Sequence, residues 1–95
     1  MNINDMIIHL KAGFVEVTFE KINDGGTRIM PCTLQPEIIA EQTGRNIDIS
    51  SIDPKSSNIA VYGCDVLAWR SFRVDTVTGW KSITREDFVM GEKHA

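Results

Sequence analysis

Apolar and polar residues change their spacing several times along the chain, and each change marks an element. Ile3, Met6, Ile7 and Leu10 recur at helical spacing and Gly13 follows as a stop. This predicts a short helix over Asn4–Ala12, capped by Asn2 or Asn4. A helix this short is not stable alone in water, so it must lean on the rest of the chain. From Phe14 to Lys21 the period becomes two: Val15, Val17 and Phe19 point one way, Glu16, Thr18 and Glu20 the other. That is a half-buried strand. Asn23–Gly26 supplies turn residues that tolerate positive φ, and Thr27–Leu34 returns as a second strand with Met30, Cys32 and Leu34 on one face. Pro31 has no N–H for a ladder, which predicts a sheet edge or a bulge there.

Pro36–Gln42 predicts one or two helical turns ended by Gly44. Residues 45–58 are polar, with Pro54 and four serines. They read as a long loop with a short extended piece at Asn46–Ile49, either functional or a tolerated surface insertion. Ile59–Tyr62 opens a third strand, Gly63 marks a bulge or turn, and Asp65–Trp69 continues extended. A fourth strand follows over Ser71–Val77, then a turn at Thr78–Gly79 and a short fifth strand at Trp80–Ile83. Thr84 and Asp87 have the spacing of a capping box, which predicts a last helical turn over Arg85–Met90 before a polar, frayed tail. The expected fold is mainly β: a small antiparallel β-barrel with a short N-terminal helix, its closure removing exposed strand edges. One domain spans 1–95: the helix in 1–13, the barrel with its polar loop 45–58 in 14–83, the helical turn and tail in 84–95.

Composition narrows the function more than the fold. Ninety-five residues at 42% hydrophobic and 24% charged suit one globular domain with a modest core. A net charge of −3 argues against a general nucleic-acid coat but leaves room for a local basic site. No apolar run approaches the roughly 18 residues of a membrane span, and the start carries Asp5, His9 and Lys11 where a signal peptide would be apolar. A cytoplasmic protein without a membrane partner is expected. Cys32 and Cys64 lie far apart with no Cys-x-x-Cys pair and no His cluster, so they read as buried thiols, with no metal and no cofactor. The acids are scattered, Ser71 has no evident His partner and no Gly-rich phosphate loop is present. The chain therefore reads as a non-enzymatic protein.

The chemistry concentrates between Val66 and Trp80. With Trp69–Asp75 taken as a strand, Arg70, Phe72 and Val74 share one face and Trp69, Ser71, Arg73 and Asp75 the other. Two readings stand side by side. In one, Arg73 and Asp75 are a surface pair with Trp69 over the arginine stem. In the other, Arg70, Arg73, Trp69 and Asp75 form a ligand site, the guanidinium groups gripping phosphate and the indole stacking on a base.

The run W-R-S-F-R-V-D-T-V, Trp69–Val77, resembles the closing signature of WYL domains, small Sm-like (SH3-like) β-barrels of bacterial transcription and defence regulators. The run Phe19–Pro36 is similar to a stand-alone branch of that superfamily found chiefly in tailed bacteriophages. Together the two matches cover roughly residues 14–80. The resemblance implies an Sm-like barrel and a sensor of nucleic-acid fragments or nucleotides, with Arg70 and Arg73 as contacts, Phe72 as packing and Asp75 orienting an arginine. The Trp-Tyr-Leu tripeptide that names the family is absent; Ser57–Val61, before Tyr62, reads S-N-I-A-V. The expected function is a phage-encoded regulatory protein in the host cytoplasm that binds nucleic acid or a nucleotide. The alternative is a protein-interaction module acting on a host or phage protein through Trp80 and the loop residues Ser50, Asp53 and Lys55, since Trp is a frequent interface anchor. A homo-oligomer formed through strand edges is compatible with either.

Overall fold

The computed structural model describes residues 3–21, 23–46 and 55–88. Helix α1 (Ile3–Ala12) is followed by strands β1 (Phe14–Glu20) and β2 (Thr27–Thr33), helix α2 (Pro36–Thr43), strands β3 (Asn58–Gly63) and β4 (Ala68–Arg73), and strand β5 (Val77–Ile83). Single 3-10 turns lie at Val74–Thr76 and Arg85–Asp87. The strands form one sheet in the order β4-β3-β2-β1-β5, every neighbouring pair antiparallel. The two edge strands, β4 and β5, are joined by only three residues. A flat sheet would hold them four strand spacings apart, so the sheet must curl until its edges approach. Among the described residues no ladder joins β4 to β5: the expected mainly-β, barrel-like fold with an N-terminal helix is present, but its sheet is not closed.

The period-two rows separate two cores. Val15 and Val17, Met30 and Cys32, Ile59 and Val61, and Phe72 face inward and pack with Met6, Ile7 and Leu10 of α1. The opposite face holds Phe14, Tyr62, Cys64 and Ile83 under Ile39 of α2, with Phe88 edge-on to Phe14 at 5.0 Å. Helix α2 forms because Pro36 presets its first turn, the Gln35 side chain accepts the Ile38 N–H at 2.8 Å, and Gly44 closes it at φ 73°. The buried Thr33 hydroxyl donates to the Gly13 carbonyl at 2.6 Å and accepts the Gln35 N–H at 3.0 Å, tying the end of α1 to the start of α2. The last turn carries the expected capping box of Thr84 and Asp87 over Arg85–Asp87.

Three expectations about local structure change. Pro31 lies in an interior strand, opposite Glu16, and is buried. The ladder from β2 to β3 covers only Cys32 and Thr33, and the Pro31 carbonyl accepts the Cys64 N–H at 2.8 Å, so its nitrogen faces the side where β3 has already turned away. The missing donor falls on a local edge inside the sheet. Asp65 does not continue a strand: Cys64–Leu67 is the turn between β3 and β4, with Leu67 at φ 52°. Gly63 ends β3 because its backbone passes closely. A Cβ there would stand 3.3 Å from the Ala68 carbonyl and 3.2 Å from Val66 Cγ2. The turn into the fifth strand falls at Val74–Thr76, fixed by the Thr76 hydroxyl on the Arg73 carbonyl at 2.6 Å. Gly79 sits inside β5 opposite Thr18, where the register slips by one residue.

Candidate anion site in the open seam

Arg70 stands opposite Val61 on β4, in the inward row that holds Phe72. In the closed part of the sheet that row is aliphatic; here it meets solvent, and Arg70 is exposed. Arg28 stands opposite Phe19 in the same inward row of β2. Both arginines line a cavity of about 480 Å3 between β4 and the β1–β2 hairpin, together with Lys21, Asn23, Phe19 and Ser71, and the cavity reaches down to Met30 and Val66. A second cavity of about 190 Å3 shares Phe19, Asn23 and Ser71 with the first and is lined by Arg73, Phe72, Glu20 and Thr76. Phe19 lies on Phe72, ring centroids 5.4 Å apart and 21° from parallel. The two cavities lie in a seam between β4, with the turn that follows it, and the β1–β2 hairpin; no residue of β5 lines either.

The cations are not equivalent. Arg28 donates to Asp65 Oδ2 at 2.8 Å; Asp65 is fully buried, and its Oδ1 has no hydrogen-bond partner among the described residues. Burying a carboxylate is costly unless it is paired, so Arg28 is held by structure as well as being available to the cavity. Lys21 lies 3.9 Å from Asp24, both exposed. Arg73 is paired to Asp75 at 2.7 Å, with about half or more of each side chain in solvent. Arg70 has no carboxylate partner among the described residues; its Nη1 donates to the Trp69 carbonyl at 3.1 Å, leaving the rest of its fork free.

The hydrogen-bond phase of β4 can be read from two contacts. The Val74 N–H donates to the Ser57 carbonyl at 3.0 Å, and the Cys64 N–H points to β2. By alternation Phe72 and Arg70 direct their main-chain groups to β3, whereas Trp69, Ser71 and Arg73 direct theirs into the open side. The carbonyls of Trp69 and Arg73 are taken by Arg70 and by the Thr76 hydroxyl. By the same alternation the N–H of Ser71 faces the seam, and among the described residues no strand pairs with that edge.

Of the residues expected from the sequence, Arg70, Arg73 and Asp75 gather at or beside the seam, but Trp69 does not. Its ring is on the outer face, edge-on to Tyr62 at 5.9 Å, and it lines neither cavity. Trp80, expected as an exposed anchor, is half-buried: it stands opposite Val17 against the inner core, 5.3 Å from the His9 ring. Ser50 and Asp53 lie outside the described residues, and Lys55 is exposed at the entry to β3. Sequence reading missed Lys21, Phe19, Asn23 and Arg28. For Arg28 a signal existed: it occupies the core-facing register of Met30 and Cys32, where a charge breaks the pattern.

The two thiols lie on opposite faces of the sheet, in different cores, and are free. Burial pushes the Cys32 thiol well above its ordinary range, and burial together with Asp65 pushes Cys64 up to about 12. Neither is poised as a nucleophile. No helix among the described residues is long and apolar enough to cross a membrane. Comparison of the chain with protein-family models, curated proteins and solved structures gives no match.

Proposed function

We propose that this is a non-enzymatic binding protein whose seam holds an anionic ligand, a nucleic acid or a nucleotide. The observation that carries the reading is the convergence of Arg70, Arg28 and Lys21 on one cavity walled by Phe19. Guanidinium groups grip phosphate oxygens through parallel N–H bonds, and an aromatic wall accommodates the flat face of a base. The net charge of −3 does not oppose this, because the cations are gathered in one place. The WYL-like run Trp69–Val77 supports the same reading, and a phage-encoded regulator acting in the host cytoplasm is the setting it suggests.

Fluorescence anisotropy of labelled single-stranded DNA and RNA tests it, at low and physiological salt. Salt-dependent binding should weaken at least tenfold in Arg70→Ala/Arg73→Ala, since each lost phosphate contact removes released counterions. A folded wild-type protein that binds neither strand at low salt rules out the nucleic-acid reading.

A second reading, a protein-interaction module, draws on a different surface from the one expected: Leu67 and Trp69 are 45% and 42% exposed at the β3–β4 hairpin. Under it, Trp69→Ala abolishes capture of a protein partner and leaves oligonucleotide binding unchanged.

A further inference from the structure

We infer that the larger cavity is a terminal-phosphate site, reading the end of a nucleic-acid strand or a mononucleotide rather than an internal phosphodiester, and that the main-chain N–H of Ser71 is one of its donors. The inference rests on the anion reading above and sharpens it.

The lining of the cavity comes first. It sets the buried Met30, 1% exposed, and the ring of Phe19 beside three cations, Lys21, Arg28 and Arg70. The donors then decide between the phosphates. Arg70 comes from β4, and Arg28 and Lys21 come from the facing hairpin. The Ser71 N–H comes from the open edge between the two cavities, as the hydrogen-bond phase of β4 requires. A phosphate monoester offers three non-bridging oxygens and up to two negative charges to such a set, whereas a diester offers two oxygens and one charge. Donors arriving from several directions therefore favour the monoester, and charge-assisted bonds are the strong ones. Asp65 holds Arg28 in place at 2.8 Å. Arg70 is anchored on its own strand by the Trp69 carbonyl.

Ser71 can be tested without disturbing the sheet. Its N–H faces away from β3, so proline at that position leaves the β3–β4 ladder intact, and proline is tolerated on edge strands with the N–H side outward. Ser71→Ala removes the hydroxyl and keeps the N–H. The experiment measures anisotropy of one short single-stranded sequence in three forms: 5′-phosphorylated, 3′-phosphorylated, and with hydroxyls at both ends. Wild-type protein should bind a phosphorylated end about tenfold or more tightly than the hydroxyl form. That preference should largely persist in Ser71→Ala and shrink severalfold in Ser71→Pro, with the fold of each variant checked by circular dichroism.

Equal binding of all three forms by wild type overturns the terminal-phosphate inference while the anion reading stands. Binding of none of them overturns both. An undiminished preference in folded Ser71→Pro removes Ser71 from the site. The wild-type comparison decides the ligand class whether or not Ser71→Pro folds.

Discussion

Strands β1 and β4 show what closure and its absence do to the same sheet. β1 has a neighbour on both sides, with seven residue pairs to β2 and six to β5. β4 has six pairs to β3 and, among the described residues, no second strand. Along β1 the inward row is apolar, with Val15 and Val17 fully buried. Along β4 the same row carries Arg70 beside Phe72, and the facing row of β2 carries Arg28 beside Met30. An inward position is apolar only where the sheet excludes water. Where the barrel stays open, the inward row becomes the wall of a wet cavity and can carry charge without the full cost of burying it. The seam thus collects cations, and the unpaired edge adds a main-chain donor.

The sharpest way to break this comparison is to separate the two inward arginines. Arg28→Ala leaves the Asp65 carboxylate buried and unpaired and should cost about 3 kcal/mol in urea denaturation, less whatever solvent reaches the emptied site. Arg28→Ala combined with Asp65→Leu should recover much of that loss. A cost for Arg28→Ala below about 1 kcal/mol would mean that the pair does not brace the seam.

A smaller effect is expected where the closed and open halves meet. Gly63→Ala places a Cβ against the Ala68 carbonyl and Val66 Cγ2, and should lower stability by about 1–3 kcal/mol through overpacking. Unchanged stability would show that the hairpin can relax there.

Both cores predict loss of stability in alkali. The folded pKa of Cys64 is pushed up from 9.0 to about 12, and Cys32 is raised in the same direction. Between the unfolded and folded values the unfolded chain has released protons that the native thiols still hold. The contribution is therefore fully present below pH 9 and is lost as pH rises towards 12. A melting temperature that falls progressively from pH 9 upward, and less so in Cys64→Ala, is the expected result. A flat profile contradicts the buried, protonated thiols.

The smallest effect is assigned to Arg73→Ala, which removes an exposed pair worth about 0–1 kcal/mol. Arg70→Ala should likewise stay within about 0.5 kcal/mol of wild type, as a surface change that gives up one exposed hydrogen bond to the Trp69 carbonyl.

Much of the fold was legible because strict alternation reports which face is dry. Val15 and Val17, and Met30 and Cys32, declared their rows in the sequence and are buried as expected. Of the glycines read as turns or stops, one departs. Gly63, crowded by backbone and side chains, does end its strand at a turn, whereas Gly79 lies inside β5 beside a register slip and not at the expected turn. The turns at Cys64–Leu67 and Val74–Thr76 carry no glycine, only Asp65 and Asp75 among hydrophobic and β-branched residues, so their turn signal is weak. The candidate site was half legible. Arg70 and Arg73 stood out by local composition, but Lys21 and Arg28 reach Arg70 only through pairing of segments some 40 residues apart, which no local pattern encodes. Trp80 is half-buried, not exposed as expected, because it shares a row with Val17, whereas Trp69 stays exposed on the outward row of an edge strand.

Chemical-shift mapping of 15N-labelled protein titrated with a short 5′-phosphorylated single strand tests the central claim most directly. The amides of Phe19, Asn23, Arg28, Arg70 and Ser71 are expected to move together, while the Trp69 indole and helix α1 stay still. Shifts confined to Trp69, Leu67 and the outer face, or no shifts at low salt, would contradict it.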